Sequence, residues 1–344
     1  MLKRFLSRSG GTAVAEPVDL EHTREQIGGL TRENRESPDL DREREILRLR
    51  QLAGIGLAQR SDERREVIGP DYDSLSSDAP VPEVPAEGLS AGMIRAAILR
   101  HGAILVRGLV DKNAALSLAD GIDRAFAARE EHVAGNGTGD GFYEELPAVP
   151  PNEAIPEAQR SAVRDGGGVL AADSPRVAFE MFDVFERAAL HEIVSDYLSE
   201  SPAISANKTT LRKADPKVPG AWHQDGKFLG DVNSLNLWLS LSHCGDTAPG
   251  MDLVPRRLEH IVEAGVEGGR GFETIVVTQE QAEELAGEPG IIRPIFEPGD
   301  AMFFDHLYLH QTASDPSMPN PRFAVESWFF GPSAFPEDYL ALAF

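Results

Sequence analysis

A single cysteine, Cys244, stands among 344 residues. An intrachain disulfide is therefore excluded, and a cytoplasmic location is the expectation. Long apolar runs are missing too. Runs such as Ala103 to Val106 and Ala301 to Phe304 are far too short to cross a bilayer. No apolar stretch follows Lys3 and Arg4, where a secretory signal would need one. Basic side chains are scarce: 33 Lys and Arg face 56 Asp and Glu, a net charge of −23. The shortage is uneven. Residues 1–66 carry 13 basic and 13 acidic side chains, so the whole negative balance falls on the rest. A surface of that sign disfavours nucleic acid, an anionic membrane and a polyanionic substrate.

What is present divides the chain. Residues 1–80 read as a polar N-terminal extension, partly helical or disordered. Thr12 to Asp41 has no Phe, Tyr or Trp. Asp41 to Leu52 looks helical, with Ile46, Leu49 and Leu52 near helical spacing and acids preceding bases. This helix is either solvated and partly ordered or a docking element for a protein partner. Ser76 to Gly88, rich in Pro, Ser and acid, reads as a linker.

Residues 81–344 read as the compact domain. Ser90 to Arg100 is a predicted helix with Ser90 as N-cap, Gly102 to Gly108 a strand, and Asn113 to Ala128 a helix. Residues 134–156 are too long for a connector and suit a lid or entrance loop. Another helix is predicted from Phe182 to Leu198. After Pro202 the pattern turns to short strands: Ala203 to Leu211, Ser234 to Ser242, Thr274 to Val277, Ile291 to Phe296, Ala301 to Phe304 and Phe323 to Phe329. Short strands with Gly/Pro turns point to a sandwich or jelly roll, mainly β with flanking helices (α+β).

Three stretches carry chemistry. In Trp222-His223-Gln224-Asp225-Gly226, an extended backbone sends residues 223 and 225 to one side, placing an imidazole and a carboxylate together. Pro298-Gly299-Asp300 is a turn launching an apolar strand toward His306 and His310, either of which can add a third metal ligand. Two histidines and a carboxylate on one face form the facial triad of non-haem iron(II) oxygenases, which leaves three positions open. Arg322, in Asn320-Pro-Arg-Phe323, follows His310 by a turn and a returning strand. Its guanidinium suits bidentate pairing with a carboxylate.

Together these stretches resemble the phytanoyl-CoA dioxygenase family, a branch of the 2-oxoglutarate-dependent oxygenases. The matching pieces are Trp-His-Gln-Asp-Gly at 222–226, Leu-Trp-Leu-Ser-Leu at 237–241, Pro-Gly-Met-Asp-Leu-Val-Pro-Arg-Arg at 249–257, Pro-Gly-Asp-Ala-Met-Phe-Phe at 298–304, His-Gln-Thr at 310–312 and Pro-Arg-Phe at 321–323. They cover about residues 200–330. The helix–strand–helix at 89–128 is similar to the family's N-terminal portion.

The resemblance implies a double-stranded β-helix (cupin-like) core, with Fe(II), 2-oxoglutarate as cosubstrate and O2. It implies His223, Asp225 and His310 as metal ligands and Arg322 as the partner of 2-oxoglutarate. Gln224, Trp238 and Thr312 fall where the family lines the cosubstrate pocket. It favours His310 over His306, which becomes a supporting residue. The implied reaction is hydroxylation of an unactivated C–H bond in a small metabolite or biosynthetic intermediate, with release of succinate and CO2. Related halogenases lack the carboxylate ligand, and here Asp225 is present.

The pattern departs from the family at Val254 to Leu258, where a Gly-Ser-His turn is usual, and the extension and residues 134–175 have no counterpart. The competing readings are a non-catalytic metal-binding cupin-like module and a metal-dependent hydrolase or isomerase on the same barrel. His243 and Cys244 are expected in the core, and Thr278 is expected to cap a helix carrying Glu280, Glu283 and Glu284.

Overall fold

The computed structural model describes residues 18–60, 64–75, 79–230, 232–264 and 276–344. It opens with two helices, α1 (Leu20–Glu36) and α2 (Leu40–Ala58), each started by an aspartate. Asp19 accepts from the His22 amide and Asp39 from the Arg42 amide. The helix expected over Asp41 to Leu52 is therefore present, but it is not solvated. Ile46, Leu49, Ala53 and Leu57 join Leu20 and Ile27 in a cluster with Ala203 and Ala343 of the sheet described below. Polar contacts reinforce the docking: Arg50 donates to the Ala343 carbonyl at 2.8 Å, and Gln51 donates to the Pro147 carbonyl at 2.8 Å.

The remaining elements run in chain order: β1 (Glu83–Pro85), α3 (Ala91–His101), β2 (Ala103–Arg107), α4 (Lys112–Val133), α5 (Glu157–Asp165), β3 (Gly168–Leu170), α6 (Pro175–Arg187) and α7 (Leu190–Leu198). Then come β4 (Ala203–Ser205), β5 (Thr210–Ala214), α8 (Gly226–Leu229), β6 (Ser234–Ser240), β7 (Gly250–Leu253) and α9 (Gln279–Ala286). The chain ends with β8 (Ala301–Phe304), β9 (His310–Ala313), β10 (Arg322–Phe330) and β11 (Ala341–Ala343). This is an α+β architecture. None of the described helices is long and apolar enough to cross a membrane.

A nine-stranded sheet runs β1-β2-β8-β6-β10-β4-β11, with β5 also on β10 and β3 on β5. A smaller layer pairs β7 with β9. Isolated bridges widen it, joining His223 to His310, Leu253 to Ile292 and Trp222 to Val277. The large sheet buries one face under α3, α4, α6 and α7 in the main core and turns the other toward the small layer.

Several expectations are revised in detail. Ser90 caps α3 and Thr278 caps α9 through a full capping box, as expected. The strand expected over Ala203 to Leu211 is two, β4 and β5, separated by a turn at residues 206–208. The helix expected from Phe182 to Leu198 is also two, because Ala189 takes a left-handed conformation (φ 52°) between α6 and α7. Ile291 to Phe296 pairs only through single bridges at Ile292 and Phe296. Thr274 to Val277 lies partly outside the described residues. The stretch read as a linker contains β1, which pairs in parallel with β2.

The loop at 134–156 is tied down at several points. Phe142, Leu146 and Ile155 are buried, and the Leu146 amide donates to Asp173 at 2.8 Å. His243 is not a core histidine. It is 38% exposed and bonds Glu297 at 2.8 Å and Asp246 at 2.7 Å, because acids on neighbouring turns hold it at the rim. Cys244 beside it is buried as expected.

Gly54 is where α2 meets β11. A Cβ there would lie 2.2 Å from the Ala341 carbonyl oxygen, which is backbone and cannot rotate away. Gly54→Ala is expected to destabilise by about 1–3 kcal/mol, outweighing the roughly 1 kcal/mol gain in helix propensity. Thermal denaturation checks this; an unchanged or higher midpoint would show that α2 does not pack this closely.

Candidate metal centre

The small layer builds the site. His223 and His310 face each other as an antiparallel pair. The His223 amide donates to the His310 carbonyl at 3.0 Å, and the His310 amide donates back at 3.2 Å. Their rings consequently lie 4.6 Å apart. Two residues beyond His223 the chain leaves the extended segment, and Asp225 begins α8. The following glycine is required there. A Cβ on Gly226 would fall 2.6 Å from Ile261 Cδ1 and 2.9 Å from the His306 carbonyl oxygen. Its amide donates to that carbonyl at 2.7 Å, which fixes the turn.

The outcome is one group of three. Ligand atoms of His223, Asp225 and His310 all lie within 4.8 Å of one another, and they form the one such group found among the described residues. His223 Nε2 stands 3.8 Å from Asp225 Oδ1. On both rings Nδ1 faces a carbonyl, that of Ala221 at 2.8 Å and that of Tyr308 at 3.1 Å. A proton on each Nδ1 leaves each Nε2 lone pair turned to the common centre. Burial, aided by neighbouring His223 and opposed by Asp225, pushes His310 down to about 4, so its ring is neutral at pH 7 and able to ligate.

Asp225 is 7% exposed, and its carboxylate accepts no hydrogen bond among the described residues. A buried carboxylate without donors is costly unless a cation is supplied. The donor set and its spacing fit a divalent metal held by two imidazoles and one carboxylate. His306 stays outside the group. Its Nδ1 is buried without a partner, and its carbonyl serves the Gly226 turn.

Arg322 starts β10 and is 2% exposed. One nitrogen donates to the Gly250 carbonyl at 3.1 Å, Nε has no partner, and no carboxylate lies within ion-pair distance among the described residues. Its guanidinium carbon sits 5.1 Å from the Trp238 ring centroid. Phe296 meets that ring edge-on at 4.7 Å. Trp238 and Arg322 are thus brought together. Thr312 lies two residues after His310 on β9, on the same side by strand alternation.

Gln224 is a correction. Alternation turns it away from 223 and 225, and its amide is spent on backbone. It donates to the Leu307 carbonyl at 2.6 Å and the His260 carbonyl at 3.1 Å, and accepts from the Val262 amide at 2.7 Å. It clamps loops behind the site, with no donor left for a cosubstrate.

One pair on the inner face escaped the sequence reading. Arg212 on β5 and Glu326 on β10 meet at 2.9 Å. Burial alone would raise the Glu326 carboxyl, but Arg212 holds it at about 2. A signal was available: counting by twos from Arg322 reaches Glu326, a charge within an apolar strand.

No protein-family model and no curated protein matches the chain. Among solved structures it is similar to EctD from S. alaskensis crystallised with 2-oxoglutarate and 5-hydroxyectoine. The identity is 18%, over 78% of this chain and 83% of that one, with a TM-score of 0.48. It is also similar to AviO1 from Streptomyces viridochromogenes Tue57, at 15% identity over 70% and 94% of the two chains, with a TM-score of 0.43. Likeness at this distance assigns neither chemistry nor substrate.

Proposed function

We propose that the protein is an Fe(II)- and 2-oxoglutarate-dependent oxygenase on a double-stranded β-helix, acting on a C–H bond of a small organic molecule. The observation that carries this reading is the buried guanidinium of Arg322, which has no carboxylate partner among the described residues. It shares the interior with a two-histidine, one-carboxylate cluster. A metal-dependent hydrolase needs the cluster but gives no reason for a second, anion-seeking site.

In this reading His223, Asp225 and His310 hold the metal, and their three-sided arrangement leaves the opposite positions to cosubstrate and dioxygen. Iron(II), when bound with a 2-oxo acid and dioxygen, supplies an oxidant able to take hydrogen from an unactivated C–H bond. The protein's own part is placement. Arg322 receives the distal carboxylate, and Trp238 beneath it fixes the guanidinium plane and excludes water. The Ala221 and Tyr308 carbonyls hold both imidazoles in the tautomer that ligates. Phe304, whose ring lies 4.9 Å from that of His310, gives the centre an apolar wall that keeps solvent from the reacting atoms. Thr312, beside His310, is placed to meet the cosubstrate through its hydroxyl.

Anaerobic addition of 2-oxoglutarate to the iron(II)-loaded protein tests this. A weak visible absorption band of a chelated 2-oxo acid is expected. If iron binding is confirmed and no band develops, the oxygenase reading fails in favour of a hydrolase, isomerase or non-catalytic metal protein.

A further inference from the structure

On β10, Arg322, Ala324, Glu326 and Trp328 share the face turned toward the small layer, while Val325 and Phe329 enter the core behind the sheet. In register, Glu326 lies between Trp238 on β6 and Thr210 on β5. Its bonds are lopsided. Arg212 Nε and Nη2, each at 2.9 Å, and Thr210 Oγ1, at 3.1 Å, all point to one oxygen, Oε2. The other oxygen, Oε1, takes part in no hydrogen bond among the described residues. Arg212 cannot swing to cover it, because Nη1 is tied to the Gly166 carbonyl at 2.7 Å. A quarter of each side chain stays accessible, so Oε1 is open to a ligand.

A second acceptor stands beside it. Asn236 is the register partner of Trp328, one inward-facing step along β6 from Trp238. It is 2% exposed, and its Oδ1 has no donor. Its partner on the other side is Phe304, whose ring packs against His310. Two acceptor oxygens, one of them charged, therefore have no hydrogen bond among the described residues, while the Lys208 ammonium acts on the carboxylate through space. An occupant that brings N–H groups would satisfy both.

We infer that Glu326 anchors the substrate by accepting, at Oε1, a hydrogen bond from a protonated amino group, with Asn236 as a second acceptor; the substrate class is a small molecule bearing an ammonium group. This rests on the oxygenase reading above only for what happens to that substrate, not for its binding. Arg212 holds the carboxylate ionised and oriented.

Calorimetric titration of the full-length, nickel(II)-loaded protein with 2-oxoglutarate present tests the inference, using n-butylammonium, n-butanol and n-butanoate as probes. The ammonium is expected to bind in preference to the other two. Glu326→Gln should weaken it about tenfold or more, the loss of one charge-assisted hydrogen bond. Glu326→Asp should keep the preference at lower affinity, and an unchanged melting midpoint in either variant shows an intact fold. Equal ammonium affinity in wild type and Glu326→Gln, a preference for the alcohol or the carboxylate, or binding of none of the three would overturn it. The 2-oxo acid band of the iron(II) form is expected to survive in Glu326→Gln. If the band is missing from the wild type while ammonium binding still depends on Glu326, the oxygenase reading falls and the amine site stands.

Discussion

Arg322→Met is expected to abolish 2-oxoglutarate binding while leaving the protein without ligands at least as stable as the wild type. The two halves of this outcome share a cause. Arg322 is 2% exposed and holds one hydrogen bond, to the Gly250 carbonyl. Taking a guanidinium out of water costs several kcal/mol, and the fold returns little of that, since no carboxylate pairs with it among the described residues. Burial accordingly lowers its pKa. Methionine fills much of the same volume without a charge, so the empty protein should melt at the same temperature or higher. The ligand-bound state loses instead. Breaking a buried, bidentate carboxylate pair costs about 3–5 kcal/mol, a fall in affinity of roughly two to three orders of magnitude. Titration followed by the 2-oxo acid band reads the second half, and thermal denaturation the first. An Arg322→Met protein that binds 2-oxoglutarate like the wild type would remove the main support for the proposed function. One that melts far lower would mean that the guanidinium is a structural element.

Asp225→Ala separates a metal ligand from a structural acid by the same logic. The carboxylate is 7% exposed, and α8 begins at it without a side-chain cap. No hydrogen bond among the described residues ends on its side chain, and the Lys208 ammonium acts on it only through space. The variant is expected to fold normally and to lose iron(II) affinity by more than the ~10–100-fold that removing a ligand's supporting hydrogen bond costs. Equilibrium dialysis against iron(II), with melting curves of the metal-free protein alongside, measures both. Retained iron affinity would exclude Asp225 from the ligand set.

The site was legible in part because strand alternation is a short-range rule. It places His223 beside Asp225 whatever the rest of the chain does. The same rule correctly separates Gln224 from them, although resemblance had set it in the cosubstrate pocket. Arg322 could be nominated by its distance after His310, but that no carboxylate among the described residues pairs with it is a property of everything that surrounds it. His243 failed for the same reason. An apolar strand leads to it, and only the fold reveals Glu297 and Asp246 waiting at the rim. Elements long enough to show their period, such as α3, α4 and β10, were recognised. Those broken by one backbone angle were not, as at Ala189 between α6 and α7. A single left-handed residue leaves no mark on hydrophobic periodicity.

By itself the sequence determined the local matters: the caps at Ser90 and Thr278, the side-by-side placement of residues 223 and 225, the buried thiol, and the net charge of −23. These follow from interactions within a few residues or from sums over the chain. Only the tertiary structure brings His310, and not His306, beside His223 and Asp225, because that depends on the backbone pairing of two segments 87 residues apart. Only it showed that the polar N-terminal helices dock on β11, through small residues such as Gly54 and Ala53 that no moment along one helix would single out. And only it left Arg322 without a carboxylate, and one oxygen of Glu326 without a hydrogen bond, among the described residues, since an unmet bond is a relation among distant groups and belongs to no residue alone.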